Sequence, residues 1–140
     1  MKIYLTYCSD TKNDSLKHTG VEVTPDKLYT SGRIQSFINR CIEKGVNWAI
    51  FSDKYGVWFS NIKHKWYEKD PSTIVRKGKV IDPEKFRELV NDFNQKLQDY
   101  DEIHFYIPNP RRLHSLYKIL LEGTTLKDKI EPFKYIDKII

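Results

Sequence analysis

The chain has 140 residues, 39% of them hydrophobic and 14% aromatic, enough apolar material to bury a core and too much for a disordered segment. Its 24 basic and 19 acidic residues leave a net charge of +5, and no apolar run approaches the roughly 18 residues that a membrane-spanning helix needs. No signal peptide and no membrane partner are expected, so the reading places the protein in the cytoplasm as a single domain over residues 1–140.

In chain order, Lys2–Cys8, rich in Ile, Tyr and Leu, reads as a first strand. Ile34, Phe37, Ile38, Cys41 and Ile42 then recur at helical spacing, making one apolar stripe. Thr30 or Ser31 caps the start of this helix and Gly45 ends it. Asn47–Ser52 is nearly continuous apolar sequence, a second strand. The stretch Asp53–Ile81 is too long for a plain connector, and Val57–Phe59 or Thr73–Val75 could add a short strand within it. Asp82-Pro83-Glu84 is a helix start, with Phe86, Leu89, Val90, Phe93 and Leu97 as its stripe. Ile103–Ile107 is a third strand. Asn109-Pro110 opens a last helix carrying Leu113, Leu116, Tyr117, Leu120 and Leu121 before Gly123.

Unbroken apolar strands suit a sheet covered on both sides, and strands alternating with helices imply crossover connections. The expected fold is α/β: a mainly parallel central sheet with helices on both faces, in three layers.

Charge is unevenly spread. Ser60–Lys79 holds six bases and two acids, whereas Asp82–Glu102 holds seven acids and three bases. A surface polarised in this way attracts an anionic partner, or simply solvates a loop. Cys8 and Cys41 make no disulfide framework; Cys41 falls on an apolar helix stripe, while Cys8 ends a strand. His18, His64, His104 and His114 show no helical pairing, and there is no CxxC or HExxH, so the spacing points to no metal site. His104 alternates within a strand and reads as a packed histidine. Walker A, GxGxxG and GxSxG motifs are all lacking, and no cofactor is expected.

Ligands of open α/β sheets bind beyond the carboxyl ends of the strands. That rule collects Cys8-Ser9-Asp10-Thr11-Lys12, Ser52-Asp53-Lys54-Tyr55-Gly56 and Asn109-Pro110-Arg111-Arg112, the last at an expected helix start that favours anions. Each residue has a structural alternative. Ser9 and Thr11 can serve a turn, Gly56 can supply a positive φ, Lys12 and Lys54 can be ordinary surface lysines, and Lys54 can pair with Asp10 or Asp53. Tyr55, Trp58, Phe59, Trp66 and Tyr67 can stack on bases or cover the edge of the core.

Cys8-Ser9-x-Thr11-Lys12, Leu28-Tyr29-Thr30-Ser31 and Trp48-Ala49-Ile50-Phe51-Ser52-Asp53-Lys54-Tyr55-Gly56-Val57 together resemble the YaaA-like group. This group comprises peroxide-stress proteins and many small archaeal, bacterial and phage domains. Its pattern is Cys-Ser-x-x-Lys after the first strand and Leu-Ser-x-Lys-Tyr-Gly-Leu after the second. Tyr67-Glu68 matches a downstream tyrosine and acid, and Pro132-Phe133-Lys134-Tyr135-Ile136 resembles a closing segment of smaller members. Phe51 stands where leucine is usual, and Asp53 where a small residue is usual. The resemblance implies an α/β fold, likened to uracil-DNA glycosylases, and an association with DNA or nucleobase metabolism.

The expected partner is therefore DNA, RNA or a nucleotide. In the leading reading Cys8, Ser9, Lys12, Ser52, Lys54 and Tyr55 form a reactive cluster that processes or modifies a base. Gly56, Tyr67, Arg111, Arg112, Lys63 and Lys65 hold the substrate. The lysines neutralise phosphate or polarise a base carbonyl, Tyr55 or Tyr67 stacks, and Ser9 or Ser52 bonds a base edge. Two alternatives stay open: a non-catalytic nucleic-acid-binding module, and an enzyme acting on a free nucleotide or phosphorylated metabolite.

Overall fold

In the computed structural model, which describes residues 1–140, five strands form one sheet: β1 (Lys2–Tyr7), β2 (Trp48–Ser52), β3 (Gly56–Phe59), β4 (Glu102–Tyr106) and β5 (Ile130–Phe133). Their spatial order is β3-β2-β1-β4-β5. The pairings of β1 with β2, β1 with β4 and β4 with β5 are parallel. Only β3 runs antiparallel, folding back on β2. The three strands expected from sequence are thus parallel neighbours, and the short strand expected at Val57–Phe59 is present. Two small ribbons lie outside the sheet: Glu22–Val23 with His64–Lys65, and Val75–Arg76 with Lys79–Val80.

The helices are α1 (Gly32–Lys44), α2 (Pro83–Leu97) and α3 (Ser115–Gly123), with a single helical turn at Pro25–Leu28. Ser31 caps α1 through its side chain, and Gly45 ends it in the left-handed conformation. Asp82 caps α2 by accepting from the Lys85 amide. Alternate residues of β1 face different apolar clusters, as the period of two demands. Tyr4 joins Trp48, Ile50, Trp58 and Tyr106 with Ile34, Phe37, Ile38 and Cys41 of α1. Ile3 and Leu5 join Ala49, Phe51, Ile103 and Phe105 with Leu89, Phe93 and Leu97 of α2 and Leu116, Tyr117 and Leu120 of α3. Cys41 is buried, as its stripe position implies, but Ile42 at the stripe's margin is 59% exposed.

The expected helix start at Asn109-Pro110 is corrected. Pro110–Arg112 is one 3-10 turn with no side-chain cap, Leu113 returns to extended backbone, and α3 begins only at Ser115. The cap is His114, whose extended backbone and ring nitrogen serve the first turn, the Nδ1 accepting from the Leu116 amide at 3.0 Å. Two arginines in a first helical turn would oppose the helix dipole, and the observed start avoids that conflict.

Candidate functional site

The carboxyl ends of β1 and β2 lie side by side, with Tyr7 opposite Phe51 in register. Beyond them the chain turns sharply on both strands. After β1, Ser9 Oγ accepts from the Thr11 amide at 3.1 Å, and Lys12 bridges to Tyr29. After β2, Ser52 Oγ accepts from the Lys54 and Tyr55 amides at 3.1 and 3.0 Å and donates to Tyr67 Oη at 3.2 Å. A hydroxyl has one donor and two acceptor sites, so Ser52 is fully engaged in holding the turn. Gly56 completes that turn with φ +72°.

Between these turns lies a cavity of about 200 Å³ lined by Tyr7, Cys8, Ser9, Asp10, Lys12, Asp53, Pro71, Arg112, His114 and Tyr117. At its base Cys8 Sγ lies 3.0 Å from Tyr117 Oη and 3.5 Å from Asp53 Oδ1. Asp53 is 2% exposed and forms no ion pair. Burial pushes its carboxyl up from the usual aspartate range, opposed by the Cys8 thiol, by Lys12 and by the Tyr67 hydroxyl. Burial, reinforced by the Asp53 charge, pushes the Cys8 thiol up to about 12. Tyr67, Tyr29 and Tyr117 are also pushed upward, burial being the first cause in each. The Cys8 thiol and the phenols around it therefore keep their protons, while Asp53 adds a buried carboxyl and Lys12 and Arg112 bring positive charge.

Cys8 is consequently a thiol and not a thiolate, and a thiol is a poor nucleophile. Native protein treated with iodoacetamide near pH 8 should leave Cys8 and Cys41 unmodified, both appearing only on unfolding. Rapid labelling of folded protein that disappears in Cys8→Ser would overturn this assignment.

His114, which lines the cavity, also meets a serine, Ser72 Oγ lying 3.0 Å from its Nε2. Since His114 Nδ1 accepts the Leu116 amide proton, the neutral ring carries its own proton on Nε2 and donates it to Ser72. Burial also lowers the His114 pKa, against a smaller opposing pull from Asp70. In this tautomer His114 cannot activate Ser72 as a nucleophile.

Of the residues singled out from sequence, Cys8, Ser9, Lys12 and Arg112 line this cavity. The others do not. Tyr67 is buried, its hydroxyl 2.6 Å from that of Tyr29, and the Lys12 ammonium sits 4.4 Å from its ring centroid. Tyr55 stacks on His64 at 3.9 Å and donates to the Lys65 carbonyl. Lys54 points elsewhere, its ammonium 5.5 Å from the Tyr55 ring. Gly56 abuts Asp92 rather than the cavity. Arg111, Lys63 and Lys65 are exposed and lie outside it. The expected single cleft of Cys8, Lys12, Lys54 and Tyr55 is thus divided.

The chain matches no family model, no curated protein and no solved structure. The site is therefore defined by its own geometry. Sequence reasoning passed over Asp53, Tyr117 and His114 as site residues. An acid placed directly after a fully buried strand was a usable signal for Asp53. Tyr117 lay within an apolar helix stripe, where nothing distinguished it from core.

Proposed function

We propose that the chain is a three-layer, YaaA-like α/β protein with helices on both faces, and that its carboxyl-edge cavity binds a nucleobase or mononucleotide. The observation that carries this reading is Asp53: a buried carboxyl with no cation paired to it, bordering a cavity that also holds Lys12 and Arg112. A buried carboxyl is costly unless something uses it. A base edge offers the N–H groups such a carboxyl would bind, and a phosphate would engage the two cations. The cavity, at about 200 Å³, is smaller than the roughly 300–1,000 Å³ of drug-sized sites, which suits one ring better than a polymer. A wider neighbouring groove sets Asp10, Asp14, Glu68 and Asp70 against Lys12, Lys17 and Lys69, a mixed lining poorly matched to a polyphosphate strand.

The test is a panel of free bases, nucleoside monophosphates and short oligonucleotides, titrated calorimetrically. Saturable monophosphate binding is expected. Lys12→Met and Arg112→Met should each weaken it about tenfold, the usual worth of a hydrogen bond to a charged group, while sparing the free base. Salt-steep oligonucleotide binding that falls with Lys63→Gln, Lys65→Gln and Lys69→Gln but ignores Lys12 and Arg112 would instead assign the protein to nucleic acid through its basic loop.

A further inference from the structure

Motif spacing cannot detect a site assembled across two strands, and β4 and β5 assemble one. His104 of β4 lies opposite Glu131 of β5 in parallel register. Glu102 precedes His104 by two residues and so shares its face of the sheet. The imidazole is gripped from both edges: Nε2 is 3.0 Å from Glu102 Oε1, and Nδ1 is 3.4 Å from Glu131 Oε2. One ligating atom from each residue can be chosen so that all lie within 4.8 Å of one another.

The ring is held in place. It stacks on Tyr4 at 4.9 Å with a 27° interplanar angle, and the His104 side chain is only 16% exposed. The two carboxylates are 53% and 63% exposed and free to adjust. Neither glutamate pairs with a lysine or arginine. Lys2 is the register partner of Glu102, but its ammonium lies over the Tyr4 ring at 5.5 Å without forming an ion pair. Two carboxylates therefore converge on a single imidazole with no other cation satisfying them. A proton on His104 offsets one of the two charges; a divalent ion offsets both.

We propose that Glu102, His104 and Glu131 form a binding site for a divalent transition-metal ion, Zn²⁺ being the best fit. One imidazole nitrogen with a carboxylate oxygen is a donor pair suited to Zn²⁺, and these two protein ligands leave the remaining positions of its coordination shell to water. Metal-bound histidines commonly donate their other N–H to a carboxylate, which fixes ring orientation and strengthens the ligand. The observed pair of contacts is arranged for that division of labour, with one glutamate beside the ligating nitrogen and the other behind the ring. Glu102 and His104 come from β4 and Glu131 from the edge strand β5, so bound metal would staple that edge to the sheet.

The experiment is a Zn²⁺ titration of the full chain near neutral pH by calorimetry, paired with thermal unfolding. One saturable site per chain and a rise in melting temperature are expected. His104→Phe keeps an aromatic ring against Tyr4 while removing both nitrogens; Glu131→Gln changes an exposed side chain and leaves the fold intact. Each should weaken Zn²⁺ by at least about tenfold. Unsaturable binding to the wild type would overturn the site. So would wild-type affinity retained in both variants, which would move the metal to His18, His64 or His114.

Discussion

Asp53→Asn should make the protein more stable while depriving it of ligand. A buried carboxyl whose folded pKa is raised above its ordinary value of 3.8 favours the fold only when protonated. Its contribution is complete below that unfolded value and is lost as pH rises through the folded one. At neutral pH wild-type Asp53 is thus a cost. Its only hydrogen-bond donor within 3.5 Å is the Cys8 thiol, a weak one, and no cation pairs with it. Asparagine keeps the shape and removes the charge, so a gain of roughly 0.5–2 kcal/mol is expected near neutrality, as when a strained functional residue is relieved. The gain should shrink as pH falls towards 4. Urea unfolding of both proteins between about pH 4 and 8 measures it. Ligand binding should fall at least about tenfold, because the amide cannot reproduce a carboxylate's hydrogen bonds. A variant destabilised at every pH would mean that Asp53 merely holds the Cys8–Tyr117 contact together.

Gly56→Ala should be among the most destabilising small substitutions in the chain, at roughly 2–5 kcal/mol. Two costs add. Gly56 has φ +72°, where a side chain costs about 1–2 kcal/mol. Its new Cβ would also fall within the Asp92 carboxylate, which cannot retreat freely. Asp92 accepts from the Val57 amide at 2.7 Å and pairs with Lys96 at 2.7 Å, and Lys96 in turn donates to the Val57 carbonyl at 2.9 Å. That clamp ties α2 to the antiparallel strand β3. Gly78→Ala is the control: its φ is +79°, but a Cβ there meets nothing within 4 Å. Equal losses in urea unfolding for the two variants would show that the Asp92 contact carries no weight.

The parallel part of the sheet was readable because β1, β2 and β4 are nearly unbroken apolar runs, and helix stripes announced α1 and α2 with their caps. β5 was not readable. Ile130-Glu131-Pro132-Phe133 lies at the sheet's edge with its two middle residues exposed and contains a proline, so it carries neither periodic nor continuous apolar signal. The start of α3 was misplaced because Asn109-Pro110 has the composition of a helix cap, whereas His114 caps through a ring nitrogen that composition rules do not weigh. Within the site, strand-end logic pointed to Cys8 and Lys12, and both line the cavity. It could not separate Asp53 from Lys54, adjacent residues in a tight turn whose side chains diverge, one into the cavity and one to the surface. Tyr55 likewise looked free for stacking, yet the His64 ring already occupies its face.

On the proposed function, ligand binds between Asp53 and the Lys12–Arg112 pair. A crystal structure of the protein with a nucleoside monophosphate tests it most directly. The base is expected in the cavity beside Cys8, Tyr117 and Asp53, hydrogen-bonded to the Asp53 carboxyl, with its phosphate on Lys12 and Arg112. A nucleotide seated instead against Trp66 in the open groove, or on Lys63 and Lys65, with the Asp53 cavity untouched, would contradict it.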